Sequence, residues 1–222
     1  MIIDCISDLH GYMPTLQGGD LLIIAGDLTA HDTDREHWDF AEKLGYQQMF
    51  EERYDKIIYI AGNHDGYLDP ATGRRGIIRT CKWWDVEYLC DSGTEYRGKK
   101  IWGSPWTPVF YDWHFMKKRG KDIKKMWDMI PEDTEILITH GPPFGIQDQV
   151  ENIHKDNVGN FAGCEELSNT IRDRLKNLKL HVFGHIHGCY GKANVNGVTY
   201  VNASIMNEYY QPVNDPIRII LE

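Results

Sequence analysis

The 222-residue chain carries 24 Lys+Arg against 33 Asp+Glu, a formal net charge of −9, with 41% hydrophobic and 26% charged residues. This is a globular composition that excludes wholesale disorder, and its acidic balance argues against a general nucleic-acid coat or an anionic-membrane binder, both of which need a basic footprint. No stretch approaches the roughly 20 apolar residues of a membrane-spanning helix, and the length fits one domain over 1–222, because α/β domains routinely reach about 200–250 residues.

The first eleven residues have no basic region and no small-residue cleavage site, so they read as a folded strand, Ile2–Ser7, rather than a secretory signal. That strand leads into Asp8. A second short apolar run, Leu21–Ala25, leads into Gly26-Asp27. Thr33-Asp34-Arg35-Glu36 is a capping-box pattern that predicts a helix to about Glu52, with Trp38, Phe40, Ala41 and Leu44 among its apolar residues. Ile57–Ala61 then leads into Gly62-Asn63-His64-Asp65. Val86–Cys90, Thr94–Arg97 and Lys99–Gly103 read as strands, the last two around Gly98. Asp122–Ile130 reads as a short helix stopped by Pro131. Ile136–Thr139 leads into His140-Gly141. Cys164–Leu178 places Leu167, Ile171, Leu175 and Leu178 at the helical period. Leu180–Phe183 leads into Gly184-His185-Ile186-His187, Asn196-Gly197 is a hairpin signal between Asn194–Val195 and Val198–Ala203, and Ile217–Leu221 is a last strand. Loop-rich insertions are expected near Gly66–Arg75 and Pro105–Gly120. The pattern predicts two packed sheets flanked by helices. Five cysteines with no C-x-x-C pair read as reduced thiols in a cytoplasmic protein, serving as small buried hydrophobes.

Polar residues recur where the apolar runs end, the rim at which α/β folds place their sites. Asp8 and His10 are two apart, as are His185 and His187, so in extended backbone each pair offers two side chains to one spot. With Asp27, Asn63 and His140 this makes seven candidate metal ligands. Their mixture of imidazole and carboxylate suits Zn, Fe, Mn or similar ions rather than Ca. Seven donors are too many for one open catalytic metal and suit two, with Asp27 the best bridge because a carboxylate has two oxygens. Two divalent cations against Asp8 and Asp27 leave a net positive site that attracts phosphate. His31, His37, His114, His154 and His181 read as structural.

The order Asp8-Leu9-His10, Gly26-Asp27, Gly62-Asn63-His64-Asp65, His140, Gly184-His185-Ile186-His187 resembles the calcineurin-like metallophosphoesterase superfamily, with every motif position filled. Gly103-Ser104-Pro105-Trp106-Thr107-Pro108, Thr139-His140-Gly141-Pro142-Pro143, Leu180–Gly184 and Asn202-Ala203-Ser204 resemble its metallophosphoesterase-domain-containing (MPPED-type) subfamily, which is similar to the class III cyclic-nucleotide phosphodiesterases. Some animal members of that subfamily lack the first histidine of G-H-x-H, which is present here as His185. The resemblance implies a four-layer α/β/β/α sandwich of two mixed sheets flanked by helices. It implies one metal on Asp8, His10, Asp27 and His187, a second on Asp27, Asn63, His140 and His185, and His64 as a nearby acid rather than a ligand. The arginine that follows G-D in the superfamily's phosphoprotein phosphatases is missing, since none occurs before Arg35.

The reaction expected is hydrolysis of a phosphodiester, cyclic nucleotides included, by a hydroxide bridging two divalent ions (Mn, Fe, Zn or Mg) about 3.5–4 Å apart, with His64 protonating the leaving oxygen. The partner expected is a small phosphate ester, a nucleotide among the candidates, with no nucleic-acid polymer and no membrane. The alternatives are a phosphomonoesterase or phosphoprotein phosphatase and a non-catalytic scaffold of the same fold; scaffold members typically lose ligands that this chain keeps. Trp106, Phe110, Tyr111 and Trp113 either stack a nucleobase or anchor a long loop. Arg74 and Arg75 read as a solvated loop with a possible phosphate contact.

Overall fold

The computed structural model describes residues 1–50, 53–70, 86–150 and 160–222. Four parallel strands begin the chain: β1 (Ile2–Ile6), β2 (Gly19–Ala25), β3 (Tyr54–Ile60) and β4 (Val86–Tyr88), with helix α1 (Asp34–Phe50) between β2 and β3. β1–β3 are nearly continuous runs of Ile and Leu because both faces of a parallel sheet are covered. Alternate residues divide between the two faces: Leu21, Ile23 and Ala25 point into the layer between the sheets, while Leu22 and Ile24 join Phe40 and Leu44 of α1. The capping box that starts α1 is formed: Thr33 Oγ1 accepts the Glu36 N–H (3.3 Å) and the Glu36 carboxylate accepts the Thr33 N–H (3.1 Å).

The second sheet is built from β5 (Ser92–Tyr96), β6 (Lys99–Ser104), β9 (Ile136–Thr139), β10 (Leu180–Phe183), β11 (Gly191–Val195) and β12 (Val198–Asn202), in the order β11-β12-β10-β9-β6-β5. Its four middle strands are parallel, and the hairpins β5–β6 and β11–β12 supply antiparallel edges. Arg97-Gly98 and Asn196-Gly197 turn those hairpins with φ positive at both residues, the primed-turn geometry suited to twisted strands. Helices α2 (Lys121–Trp127) and α3 (Glu165–Arg174) cover its outer face through Ile123, Trp127, Leu167 and Ile171. β13 (Ile217–Ile220) returns antiparallel to β1 at the edge of the first sheet. The result is the expected α/β/β/α order.

Three expectations shift in detail. The helix predicted over Asp122–Ile130 stops at Trp127, and the N–H groups of Met129 and Ile130 turn back to residues three earlier. The helix over Cys164–Leu178 stops at Arg174, although Leu175 and Leu178 are still buried. The Pro105–Gly120 insertion holds two short strands, β7 (Thr107–Pro108) and β8 (Met116–Lys117), paired parallel. Of the earlier insertion, Gly66–Leu68 forms one 3-10 turn, while Arg74 and Arg75 fall outside the described residues, as do Cys81 and His154. Among the described residues no helix is long and apolar enough to cross a membrane.

Candidate metal centre

In-register pairing of β1, β2 and β3 ends them at one rim, and β9 and β10 end at the facing rim of the second sheet. The sheets are laced there: the Ser7 N–H donates to Ala203 O (2.8 Å) and the Ile205 N–H to Ser7 O (2.9 Å). Asp8 and His10 follow β1, Asp27 follows β2, Asn63 and His64 follow β3, His140 follows β9, and His185 and His187 follow β10.

Three overlapping groups bring donor atoms within 4.8 Å of one another: Asp8, His10 and His187; His10, Asp27 and His64; Asp8, Asp27 and His140. Asp27 Oδ2 lies 3.3 Å from His140 Nε2 and 3.8 Å from His10 Nε2. Asp8 Oδ1 lies 3.3 Å from His187 Nε2. The two remaining expected ligands join through His140: Asn63 Oδ1 is 3.0 Å from its Nε2, and the His185 ring is 4.9 Å away, centroid to centroid. Sequence-distant residues therefore meet at one spot.

Backbone carbonyls set the imidazoles. His140 Nδ1 donates to Ala25 O (2.9 Å), His187 Nδ1 to Asn207 O (3.0 Å) and His64 Nδ1 to Ala30 O (2.9 Å). Each bond commits one ring nitrogen and leaves the other for the site, the arrangement that orients metal-bound histidines. His140 Nε2 then faces two oxygen acceptors, so a cation must sit among them: a proton or a metal. Burial opposes charge on His140, but the Asp27 carboxylate outweighs it and raises its pKa to about 9. Burial likewise opposes ionisation of Asp8 and Asp27, yet the surrounding imidazoles, His187 for Asp8 and His140 for Asp27, hold both well below the ordinary carboxylate range. Burial, and then the charge on His140, lowers His185 to about 3.

His10 tests whether these residues suit a metal. Both of its ring nitrogens are buried with no hydrogen-bond partner among the described residues, although Asp27 and Asp8 stand beside it. An orphaned imidazole is costly unless something else occupies its lone pair, and a divalent cation does so. The donor chemistry therefore fits.

The backbone is bent to make this arrangement. Asp8, His10, Asp27 and His185 all have positive φ, between 43° and 69°. Such residues cluster at functional sites. Gly26, at φ 98°, packs where an added Cβ would stand 2.7 Å from Ala61 O, Gly62 N and His140 Nδ1.

Further residues shape the site: Asp65, a position of the Gly62-Asn63-His64-Asp65 motif that received no role from the sequence, and Tyr210, which carried no signal there. The buried Asp65 carboxylate accepts the N–H groups of Leu28 (2.9 Å), Thr29 (3.1 Å) and Gly62 (2.8 Å), tying the Asp27 loop to the Asn63 loop. Burial, then Asp27, pushes its pKa up to about 6. Tyr210 lays its ring against His10 (4.9 Å) and His187 (5.1 Å). The aromatic insertion divides in its surroundings. Trp106 is an anchor, its indole N–H donating to Asp91 Oδ2 (2.7 Å), whereas Phe110 lies 5.2 Å from the His185 ring and Trp113 lies 4.3 Å from the His64 ring. Tyr111 is 86% exposed and serves as neither anchor nor site wall. Of the histidines read as structural, His37 and His181 are buried, and the His114 N–H donates to Asn63 O (3.3 Å).

Known proteins share this plan. The crystal structure of TT1561 of Thermus thermophilus superposes with a TM-score of 0.60 at 16% identity, covering 90% of this chain and 88% of that one, a likeness of fold. Metallophosphoesterase domain-containing protein 1 of Homo sapiens is 39% identical over 243 residues, spanning 98% of this chain and 70% of that protein. A UPF0046 protein of Caenorhabditis elegans is 33% identical over 228 residues, 96% of this chain and 78% of its own length. The family model described as Calcineurin-like phosphoesterase matches residues 1–189, the stretch that holds every strand-end donor described above. With sandwich, strand-end donors and sequence in agreement, the chain belongs to the calcineurin-like phosphoesterases, a family of metal-dependent phosphoric ester hydrolases.

Proposed function

We propose that the chain is a binuclear phosphodiesterase for a small ester, cyclic nucleotides among its candidate substrates. Asp8, His10, Asp27 and His187 would hold one divalent cation and Asp27, Asn63, His140 and His185 the other, with Mn, Fe, Zn and Mg as candidate ions. What carries this reading is the convergence of seven donors from five strand ends on one rim, with Asp27 between His10 and His140. Divalent cations bound there supply Lewis-acid polarisation of the ester and an acidified water.

The chain's own residues do the rest. Asp27 Oδ2 faces a histidine of each set, which suits a shared carboxylate. Its Oδ1 accepts the His64 N–H (2.8 Å), so the bridge is anchored to the loop that carries the acid. With His64 Nδ1 committed to Ala30 O, Nε2 is the nitrogen that can hand a proton to the departing oxygen. The diester preference rests on the rim: Phe110, Trp113 and Tyr210 offer apolar faces to the organic arms of a diester. A doubly charged monoester gains most from an arginine, and Arg35, the first after Asp27, is exposed on α1 beside Asp39. Cytoplasmic residence belongs to the same reading, supported by the free thiols Cys5, Cys90, Cys164 and Cys189.

The test is Mn²⁺-dependent hydrolysis of bis-4-nitrophenyl phosphate against 4-nitrophenyl phosphate, with Asp27→Ala alongside. The expected result is faster diester turnover and a loss of about 100-fold or more in Asp27→Ala, the scale on which groups stabilising the transition state act. A faster monoester rate would move the chain to the phosphomonoesterases. No turnover with any of the four metals would favour a scaffold.

A further inference from the structure

Trp113 is a costly residue to leave in water. Its side chain is 43% exposed, yet the segment that carries it is firmly built. The neck of the excursion is closed by the β7–β8 pairing, by the Thr107 N–H on Phe115 O (2.9 Å) and by the Val109 N–H on Lys117 O (3.0 Å). Beneath it, Asp91 accepts both the Trp106 indole N–H and the Ser104 hydroxyl at 2.7 Å, and Phe115 is buried. At the tip, the His114 N–H donates to Asn63 O (3.3 Å), which fastens the residue after Trp113 to the residue before His64. The excursion thus delivers one indole to one imidazole.

The two rings stack: their centroids are 4.3 Å apart and their planes differ by 31°. Among the described residues His64 otherwise has one ring hydrogen bond, Nδ1–H to Ala30 O, and an edge contact from His10 at 4.7 Å and 89°. A single hydrogen bond fixes a point on the ring and leaves its tilt free, whereas a stacked face fixes the plane. We infer that Trp113 is a positioning residue, holding the His64 ring in the plane from which Nε2 reaches the leaving oxygen of the ester. This rests on the proposed function, in which His64 hands over that proton. In that step a water oxygen forms a new P–O bond and gives up a proton to solvent, the P–O bond to the leaving group breaks, its electron pair goes to the departing oxygen, and the proton moves there from Nε2.

The test uses leaving-group dependence. 4-Nitrophenolate departs readily without a proton, while phenolate is much poorer and needs one. The readout is the ratio of kcat/KM for bis-4-nitrophenyl phosphate to that for diphenyl phosphate, in the metal-loaded full-length protein. His64→Ala should raise this ratio by about 100-fold, the lower range of general-acid catalysis. Trp113→Leu, which fills space without stacking, should raise it by about tenfold, a misplacement cost below full loss of the group. Trp113→Phe should restore most of it, and the double variant should match His64→Ala alone. Urea unfolding and metal content of each variant separate these effects from misfolding. If His64→Ala raises the ratio and Trp113→Leu does not, the inference is overturned while the proposed function stands. An effect of Trp113→Leu that adds fully to His64→Ala also overturns it. If His64→Ala itself leaves the ratio unchanged, the acid assignment fails and the role of Trp113 with it.

Discussion

A Cβ added at Gly184 would land on the Asp8 carboxylate and the Ser7 hydroxyl. Neither can retreat: Asp8 accepts the His185 N–H at 3.0 Å and Ser7 is laced into the second sheet. Gly184→Ala should therefore displace Asp8, weaken Mn²⁺ binding at least tenfold by titration calorimetry, and cost about 1–3 kcal/mol in urea unfolding, the usual range for overpacking. The chain tolerates much local strain to hold its donors, since αL backbone at a non-glycine residue costs about 1–3 kcal/mol. At this scale the sequence was most legible: all seven expected ligands and His64 gather at one rim. The motif clusters advertise themselves because chemistry restricts them to few residue types. Tyr210 did not, because a tyrosine is common anywhere, and Asp65 stood in its motif without a role that residue type alone could assign. Only the long-range fold brings Tyr210 beside His10, and only backbone geometry turns Asp65 into an acceptor for three amides.

Helix α1 rests on its capping box and on a modest apolar stripe, with Trp38, Tyr46 and Met49 exposed. Thr33→Ala removes the side-chain acceptor for the Glu36 N–H and part of the anchor for the Glu36 carboxylate. It should lower stability by about 1 kcal/mol in urea unfolding, with circular dichroism showing loss confined to helix. Elements read from the sequence survive where burial imposes a pattern. β1, β2, β3, β9 and β10 were visible as apolar runs because both faces are covered, and Asn196-Gly197 was visible as a turn because few other pairs accept positive φ twice. β7 and β8, at two residues each, are too short to show any period, so the Pro105–Gly120 excursion read as loop. Helix ends were misplaced by a few residues for a related reason: Leu175 and Leu178 are buried whether their backbone is helix or turn, and burial is all that periodicity reports.

Across the molecule, acid should loosen the metal-free fold through groups outside the donor set as well as within it. His181 is fully buried on β10; its Nε2 donates to the Thr139 hydroxyl (2.8 Å), which itself donates to Gly141 O, and its Nδ1 has no partner among the described residues. Burial lowers its pKa from 6.5 to about 3. Between those values the unfolded chain binds a proton that the folded chain refuses, so this contribution to stability is whole above about pH 6.5 and is lost as pH falls toward 3, at up to about 1.4 kcal/mol per pH unit. His181→Gln keeps a donor for Thr139 and titrates nowhere, so its urea midpoint, measured with chelator from pH 7 to pH 4, should fall less steeply than that of the unaltered protein. The lacing of the sheets at Ser7 carries a different consequence. Asp8, Asp27 and Asn63 ride on one sheet and His140, His185 and His187 on the other, so a cation shared by both groups, as proposed, would be a rivet through the seam. Chelation and sheet cohesion are then one joint fastened twice: slack in the apolar filling between Ile23 and Ile138 would be felt as lost grip at the rim, and a tight grip at the rim would be felt as stiffness in the filling.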